Sequence, residues 1–216
     1  MTPRRIGIPR NLTPREAILL QKKLASLVSQ QSALPKQISY VAGADGAYTE
    51  KSAAAAVAVV DYHSLEPVEI ATAKVRVTFP YIPGLLAFRE APVVVRALRK
   101  LRVTPDVCIV DGHGIAHPRK FGLACCIGLM MDLPTIGVAK SRLFGREMDD
   151  SLVDPDENLI GSILRIGKKS LYVSVGHKIS LEDATQVVKH CVSEHGLDPI
   201  RLAHQEASRL RWSLKT

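Results

Sequence analysis

Apolar positions along this chain repeat with two different periods, and the switches between them divide it into elements. From residue 13 to residue 32, Ala17, Leu20, Leu24 and Leu27 recur at helical spacing behind a Thr13-Pro14 start signal, which predicts a helix. The period then shortens. "ISYVAGAD" (38–45), "AAAAVAVVDY" (53–62) and "PVEIATAKVRVTF" (67–79) are continuous or alternating apolar runs separated by "GAYTEKS" and "HSLE", the signature of an antiparallel three-stranded meander. Helical spacing returns in "LLAFREAPVVVRALRKL" (85–101). A buried strand "DVCIVD" (106–111), a helix over 118–132 and a short strand "TIGVAK" (135–140) follow, so the order is β-β-β-α-β-α-β. "LIGSILRIG" and "SLYVSVG" flank Lys168-Lys169 and read as a hairpin. Ser180, with Glu182 and Asp183, opens a helix to about residue 195, and "PIRLAHQEASRLRW" (199–212) closes the chain as another. "GREMDDSLVDPDENL" (145–159) is the longest polar stretch and is expected to be a mobile loop.

Three acids sit where this pattern does not call for them. Asp45 ends one apolar strand and Asp111 ends another, each followed by glycine. Singly, each Asp-Gly reads as a turn. Together, on neighbouring strands, they would place like charges side by side and raise each other's proton affinity unless a cation lay between them. Glu90 shares a helical stripe with Leu86, Val94, Ala97 and Leu101, so it occupies a core-facing position, with Pro92 placing it in or near the first turn or at a kink. Two strand-end aspartates and a helix glutamate form an all-oxygen set suited to Mg²⁺ or Mn²⁺ rather than zinc, and such a site serves phosphoryl transfer.

Composition sharpens this reading. With 216 residues and 46% hydrophobic content, the chain can bury one core, and a single domain over 1–216 is the expectation. Lys and Arg outnumber Asp and Glu by 29 to 21, a formal charge of +8 that suits an anionic partner such as nucleic acid as well as it suits a merely basic enzyme. Cys108, Cys125, Cys126 and Cys191 show no paired spacing, which points to buried thiols in a reducing compartment. The basic N-terminal "MTPRRIGIPRNLTPREA" lacks the apolar run of a secretory signal, and "AAAAVAVV" is too short to span a membrane. A cytoplasmic monomer with no membrane partner is expected.

"YVAGAD" (40–45), "FPYIPGLLAFRE" (79–90), "DGHGIAHPRKFGLA" (111–124) and "TIGVAKSRLFG" (135–145) resemble the ordered signature blocks of the endonuclease V family, and the likeness runs from about Thr13 to the "RLAH" ending at His204. The resemblance implies an α/β, ribonuclease H-like fold with a central mixed β-sheet, its first three strands antiparallel, flanked by α-helices. It implies a Mg²⁺-dependent endonuclease, with Mn²⁺ able to substitute. Its substrate would be DNA or RNA containing inosine (hypoxanthine as the base), the product of adenine deamination. The cut would fall at the second phosphodiester bond 3′ to the lesion, leaving 3′-hydroxyl and 5′-phosphate ends.

The same resemblance assigns roles residue by residue. Asp45, Asp111 and Glu90 would hold the metal, with His204 approaching a second metal position, and Lys140 would place a point charge on the phosphate. Pro80, Tyr81, Ile82 and Pro83 match the family's wedge, a stiff loop whose aromatic and apolar tip occupies the gap left by a displaced base. Gly84, Leu86, Gly112 and Gly122 match positions around the pocket that reads that base, and His117 matches the histidine of the "AHPR" block. Pro118 at a helix start, with Arg119 and Lys120, would offer charge and free N–H groups to a phosphate. One departure stands out: the family carries a bulky apolar residue before its first aspartate and a segment such as Val-Ser-Tyr after it, whereas here Ala44 precedes Asp45 and Gly46-Ala47-Tyr48 follows.

Overall fold

The apolar alternations of the first half become the central strands. In the computed structural model, which describes residues 6–9, 11–167, 169–193 and 196–212, β1 (Tyr40–Tyr48), β2 (Ser52–Asp61) and β3 (Pro67–Arg76) form the expected antiparallel meander. β4 (Val107–Asp111) adds parallel to β1, and β5 (Thr135–Ala139) adds parallel to β4. β6 (Arg146–Met148), β7 (Ser151–Val153), β8 (Leu159–Ile166) and β9 (Lys169–His177) complete a sheet of order β3-β2-β1-β4-β5-β9-β8-β7-β6. This is the mixed, ribonuclease H-like sheet that the family resemblance implies.

Helices cover it. α1 (Pro14–Ala25) begins with a capping box, in which the Thr13 hydroxyl accepts from Glu16 N–H and the Glu16 carboxylate accepts from Thr13 N–H. Such a cap stabilises a helix by about 1 kcal/mol. α2 (Leu86–Leu98) packs on β2 and β3, and α5 (Asp198–Trp212) packs on β1 and β2. Every residue from Ala53 to Val60 is buried, so both faces of β2 are covered; alanine at five of those eight positions lets the helices lie close. α3 (Leu123–Met131) and α4 (Leu181–His190) pack on β9. All four cysteines are buried and free, as their unpaired spacing leads one to expect. No helix of the described residues is long and apolar enough to cross a membrane.

Four boundaries differ from the sequence pattern. α1 stops at Ala25 because the chain beyond it is tied to the end of β9: Ser29 N–H donates to His177 Nδ1, and Lys178 N–H donates to the Ser29 carbonyl. α3 starts at Leu123 rather than 118, because Lys120 takes a left-handed φ of 51° and Gly122 is extended. The polar stretch 145–159 is not a plain loop but contributes β6 and β7 to the sheet edge, where exposed, charged positions are expected. α4 ends at His190, and Val192–Ser193 pairs with Gly196–Leu197; residues 194 and 195, like Lys168 of the hairpin turn, lie outside the described residues.

Candidate active site

The parallel pairing of β1 with β4 delivers the two strand-end aspartates together. Ala44 lies opposite Val110, so the next residues, Asp45 and Asp111, emerge side by side where the strands run out. On β1, side chains alternate, and Gly43 shares a face with Asp45. A β-carbon at Gly43 would collide with the backbone of Pro199 and Ile200, so α5 lies directly against that face. One turn further along α5, His204 stands over Asp45, and its Nδ1 is 2.7 Å from Asp45 Oδ2. Ligand atoms of Asp45, Asp111 and His204 all fall within 4.8 Å of one another, a set able to hold a metal ion. Lys140, at the end of β5, reaches back with Nζ 3.1 Å from Asp111 Oδ2.

Glu90 stands just outside that triplet. It is 8% exposed, and Arg89 beside it points away to donate to the carbonyls of Phe79 and Thr49. Burial first, then the negative charges of Asp45 and Asp111, push the Glu90 carboxyl up to about 8, against the opposing charge of Arg89. Burial and Asp111 also raise Asp45 above the ordinary carboxylate range, against the lowering effect of His204 and of Gly46 N–H. Three carboxyls with this little counter-charge fit a divalent cation, whose arrival would remove the mutual repulsion. Pro92 lies inside α2 rather than at its start, so Glu90 occupies an inner turn of the helix.

Gly46 explains the departure from the family pattern. A β-carbon there would collide with the Tyr48 hydroxyl, which folds back over the strand. That hydroxyl is buried, faces Glu90 and Asp45, and has no hydrogen bond of acceptable geometry. Burial and the two carboxyls hold it well above the ordinary tyrosine value. Asp45 itself stays in register, paired opposite Ala56 on β2.

The profile of the family described as Endonuclease V matches residues 22–205 of this chain. The chain belongs to the endonuclease V family. Endonuclease V of Roseiflexus castenholzii is 43% identical over 208 residues, covering 91% of this chain and 92% of that one. The crystal structure of endonuclease V from Streptomyces avermitilis superposes with a TM-score of 0.89 at 34% identity, covering all of both chains. A Ciona intestinalis endonuclease V variant, solved with a 23-nucleotide DNA containing an inosine followed by a ribo-adenosine, superposes with a TM-score of 0.83 at 25% identity, covering 94% of this chain and all of that one. Membership of the endonuclease V family makes this protein a nuclease.

The 80–86 loop, expected from the resemblance to carry the wedge, lies beside the acidic cluster. Phe79 and Leu85 are buried against Phe88 and anchor the ends of the loop, Ile82 packs on that anchor, and Tyr81 projects with 69% of its surface exposed. Behind Tyr81 a cavity of about 700 Å³ runs to Glu90, Tyr48 and Arg211. A separate hollow of about 450 Å³ between β8 and α4 contains none of the three acids. Gly84 ends this loop with a φ of 78°, and its carbonyl accepts from His117 Nε2 and Arg119 Nη2. Gly112 and Gly122 belong to one loop that folds back on itself, with Gly122 N–H donating to the Gly114 carbonyl. Leu86 is half-buried at the start of α2.

Two sequence expectations change here. Pro118 is not at a helix start, and the N–H groups of Arg119 and Lys120 are taken by His117 Nδ1 and the His117 carbonyl. Lys120 pairs with buried Asp154 at 3.1 Å, so it serves the loop. Conversely, pattern reading missed Tyr48, and it missed Gln21, a fully buried amide on α1. Gln21 sits at helical spacing from Ala17 and Leu24, the same signal that singled out Glu90.

Proposed function

We propose that this endonuclease V is a divalent-metal-dependent enzyme that recognises inosine in nucleic acid. It hydrolyses the second phosphodiester bond 3′ to that inosine, leaving 3′-hydroxyl and 5′-phosphate ends. The observation that supports this most is the meeting of Asp45 and Asp111, at the ends of adjacent parallel strands, with His204 of α5, and with Glu90 buried nearby. Asp45, Asp111 and Glu90 would hold Mg²⁺, or Mn²⁺ in its place, with His204 at the rim. When bound, such a metal lowers the proton affinity of water and neutralises charge on the phosphodiester. Lys140 supplies a fixed positive charge beside Asp111, where it attracts and orients the phosphate. His204 holds Asp45 in place through Nδ1.

Recognition falls to the wedge and the glycine-lined slot. The Ciona relative's complex with inosine-containing DNA makes this the natural reading of both features in this chain. Tyr81 and Ile82 stand ready to occupy the space of a displaced base, and Gly84, Leu86, Gly112 and Gly122 border the slot that would receive it. The net charge of +8 favours the polyanion.

The test is a cleavage assay on labelled single strands of DNA and of RNA, each carrying one inosine, beside inosine-free controls, with and without Mg²⁺. The expected result is metal-dependent cleavage one nucleotide beyond the inosine's own 3′ bond, and the better of the two strands identifies the preferred sugar. Binding without cleavage in either strand would overturn the reading in favour of a nucleic-acid binding module.

A further inference from the structure

Gln21 lies on α1, a helix that carries none of the residues assigned above. Its side chain is nonetheless completely buried, and all of its amide atoms are engaged. Nε2 donates to the Gly84 carbonyl at 3.0 Å and to the Phe121 carbonyl at 2.9 Å, while Oε1 accepts from Arg119 Nε at 2.6 Å. The amide can take only this orientation. Flipped, its oxygen would face two carbonyls and its NH₂ would face a guanidinium.

The two carbonyls belong to the two segments that, on the inosine reading above, would border the base slot. Gly84 ends the wedge loop, and Phe121 immediately precedes Gly122, the N-cap of α3. His117 Nδ1 accepts from Arg119 N–H, so the His117 proton is on Nε2, which donates to Gly84 at 3.0 Å; Arg119 Nη2 donates to the same oxygen at 2.6 Å. Those two residues hold Gly84 from within the 112–122 loop. Among the described residues, Gln21 alone joins Gly84 to Phe121 by side-chain hydrogen bonds.

We propose that Gln21 is a positioning residue for base recognition: bridging Gly84 and Phe121, it sets the width of the slot that admits inosine. This rests on the inosine reading above. A buried amide that merely satisfied two carbonyls would contribute stability and nothing else. One that fixes a slot width also sets the difference between a base that fits and one that does not.

The experiment compares the wild-type protein with Gln21→Glu, which keeps the size but loses both donors, and Gln21→Met, which keeps the packing. Rates with Mg²⁺ are measured on strands carrying inosine or adenosine at one position, resolved into kcat and KM. Equilibrium binding of the labelled inosine strand to metal-free protein, Mg²⁺ binding by calorimetry and thermal melting accompany them. KM for the inosine strand should rise, and the inosine-to-adenosine ratio of kcat/KM should fall, by about tenfold or more, the scale on which misplaced recognition contacts act. Inosine-strand binding should weaken in parallel while Mg²⁺ binding stays unchanged. If either variant fails to fold, the other is decisive. An unchanged ratio in a folded variant, or equal losses on both strands, would overturn the proposal. A wild-type protein without preference for inosine would overturn the inosine reading itself, and this proposal with it.

Discussion

The acidic cluster and the surroundings of the Gly84 carbonyl are built on opposite principles. Around Asp45, Glu90 and Asp111, negative charge exceeds what Lys140 and His204 offset, and both Glu90 and Asp45 bind protons more tightly than ordinary carboxyls. Around Gly84, donors crowd a single carbonyl from three side chains, and each ring nitrogen of His117 has its partner. One region is electrostatically incomplete by itself; the other is saturated. Chemistry on a phosphodiester needs charge that a cation completes, whereas discrimination between bases needs a shape that does not relax.

The sharpest way to break the first region is Asp111→Asn. It keeps the shape and removes a charge, and it should lower kcat on an inosine strand by about a thousandfold or more while leaving the melting temperature intact. Normal turnover would remove Asp111 from the chemistry. Gly84→Ala attacks the second region. It forces a side chain into a left-handed φ and puts its β-carbon 2.8 Å from Arg119 Nη2. Strain of about 1–3 kcal/mol should lower the melting point, and recognition should weaken with it. Tyr81→Ala removes the exposed tip alone, and discrimination for inosine should fall by about tenfold with no loss of stability. Parallel losses on inosine and control strands would show that Tyr81 is not the wedge.

A smaller effect separates the two regions by pH. Glu90 is raised from 4.5 to about 8, so the metal-free fold is favoured below 4.5 and loses that stability as pH climbs through 8. His117 is lowered from 6.5 to about 4, first by burial and then by Arg119. Its contribution is full above 6.5 and is lost as pH falls through 4. Melting temperatures of metal-free protein should therefore decline toward both ends. Glu90→Gln should flatten the alkaline decline and His117→Gln the acid one; if either variant flattened the other's limb, the assignment would be reversed.

Much of this was legible in the residues. The meander, the strand ending at Asp111 and the core-facing Glu90 follow from periodicity, because each rests on a long apolar run with one polar residue out of place. The strands β6 and β7 were not legible: Arg146–Met148 is wholly exposed, so no alternation betrays it, and only pairing with Ser151–Val153 makes it a strand. The true start of α3 was hidden because Pro118 is a good helix opener by itself, and the turn that overrides it depends on His117, Arg119 and Gly84 meeting in space. Gln21 was overlooked for a different reason. A glutamine on an amphipathic helix suits either face, and what makes it buried lies far away in the chain, at Gly84, Arg119 and Phe121.

The pairing of β1 with β4 also bears on how fast the molecule folds and unfolds. β1, β2 and β3 join through short turns, so their contacts are local and form early. Asp45 meets Asp111 only after the chain has closed a long loop through α2. The expectation is that the carboxylates come together late in folding, so that a divalent cation would slow unfolding more than it speeds folding and lengthen the lifetime of the native state, which folding and unfolding rates with and without Mg²⁺ would read.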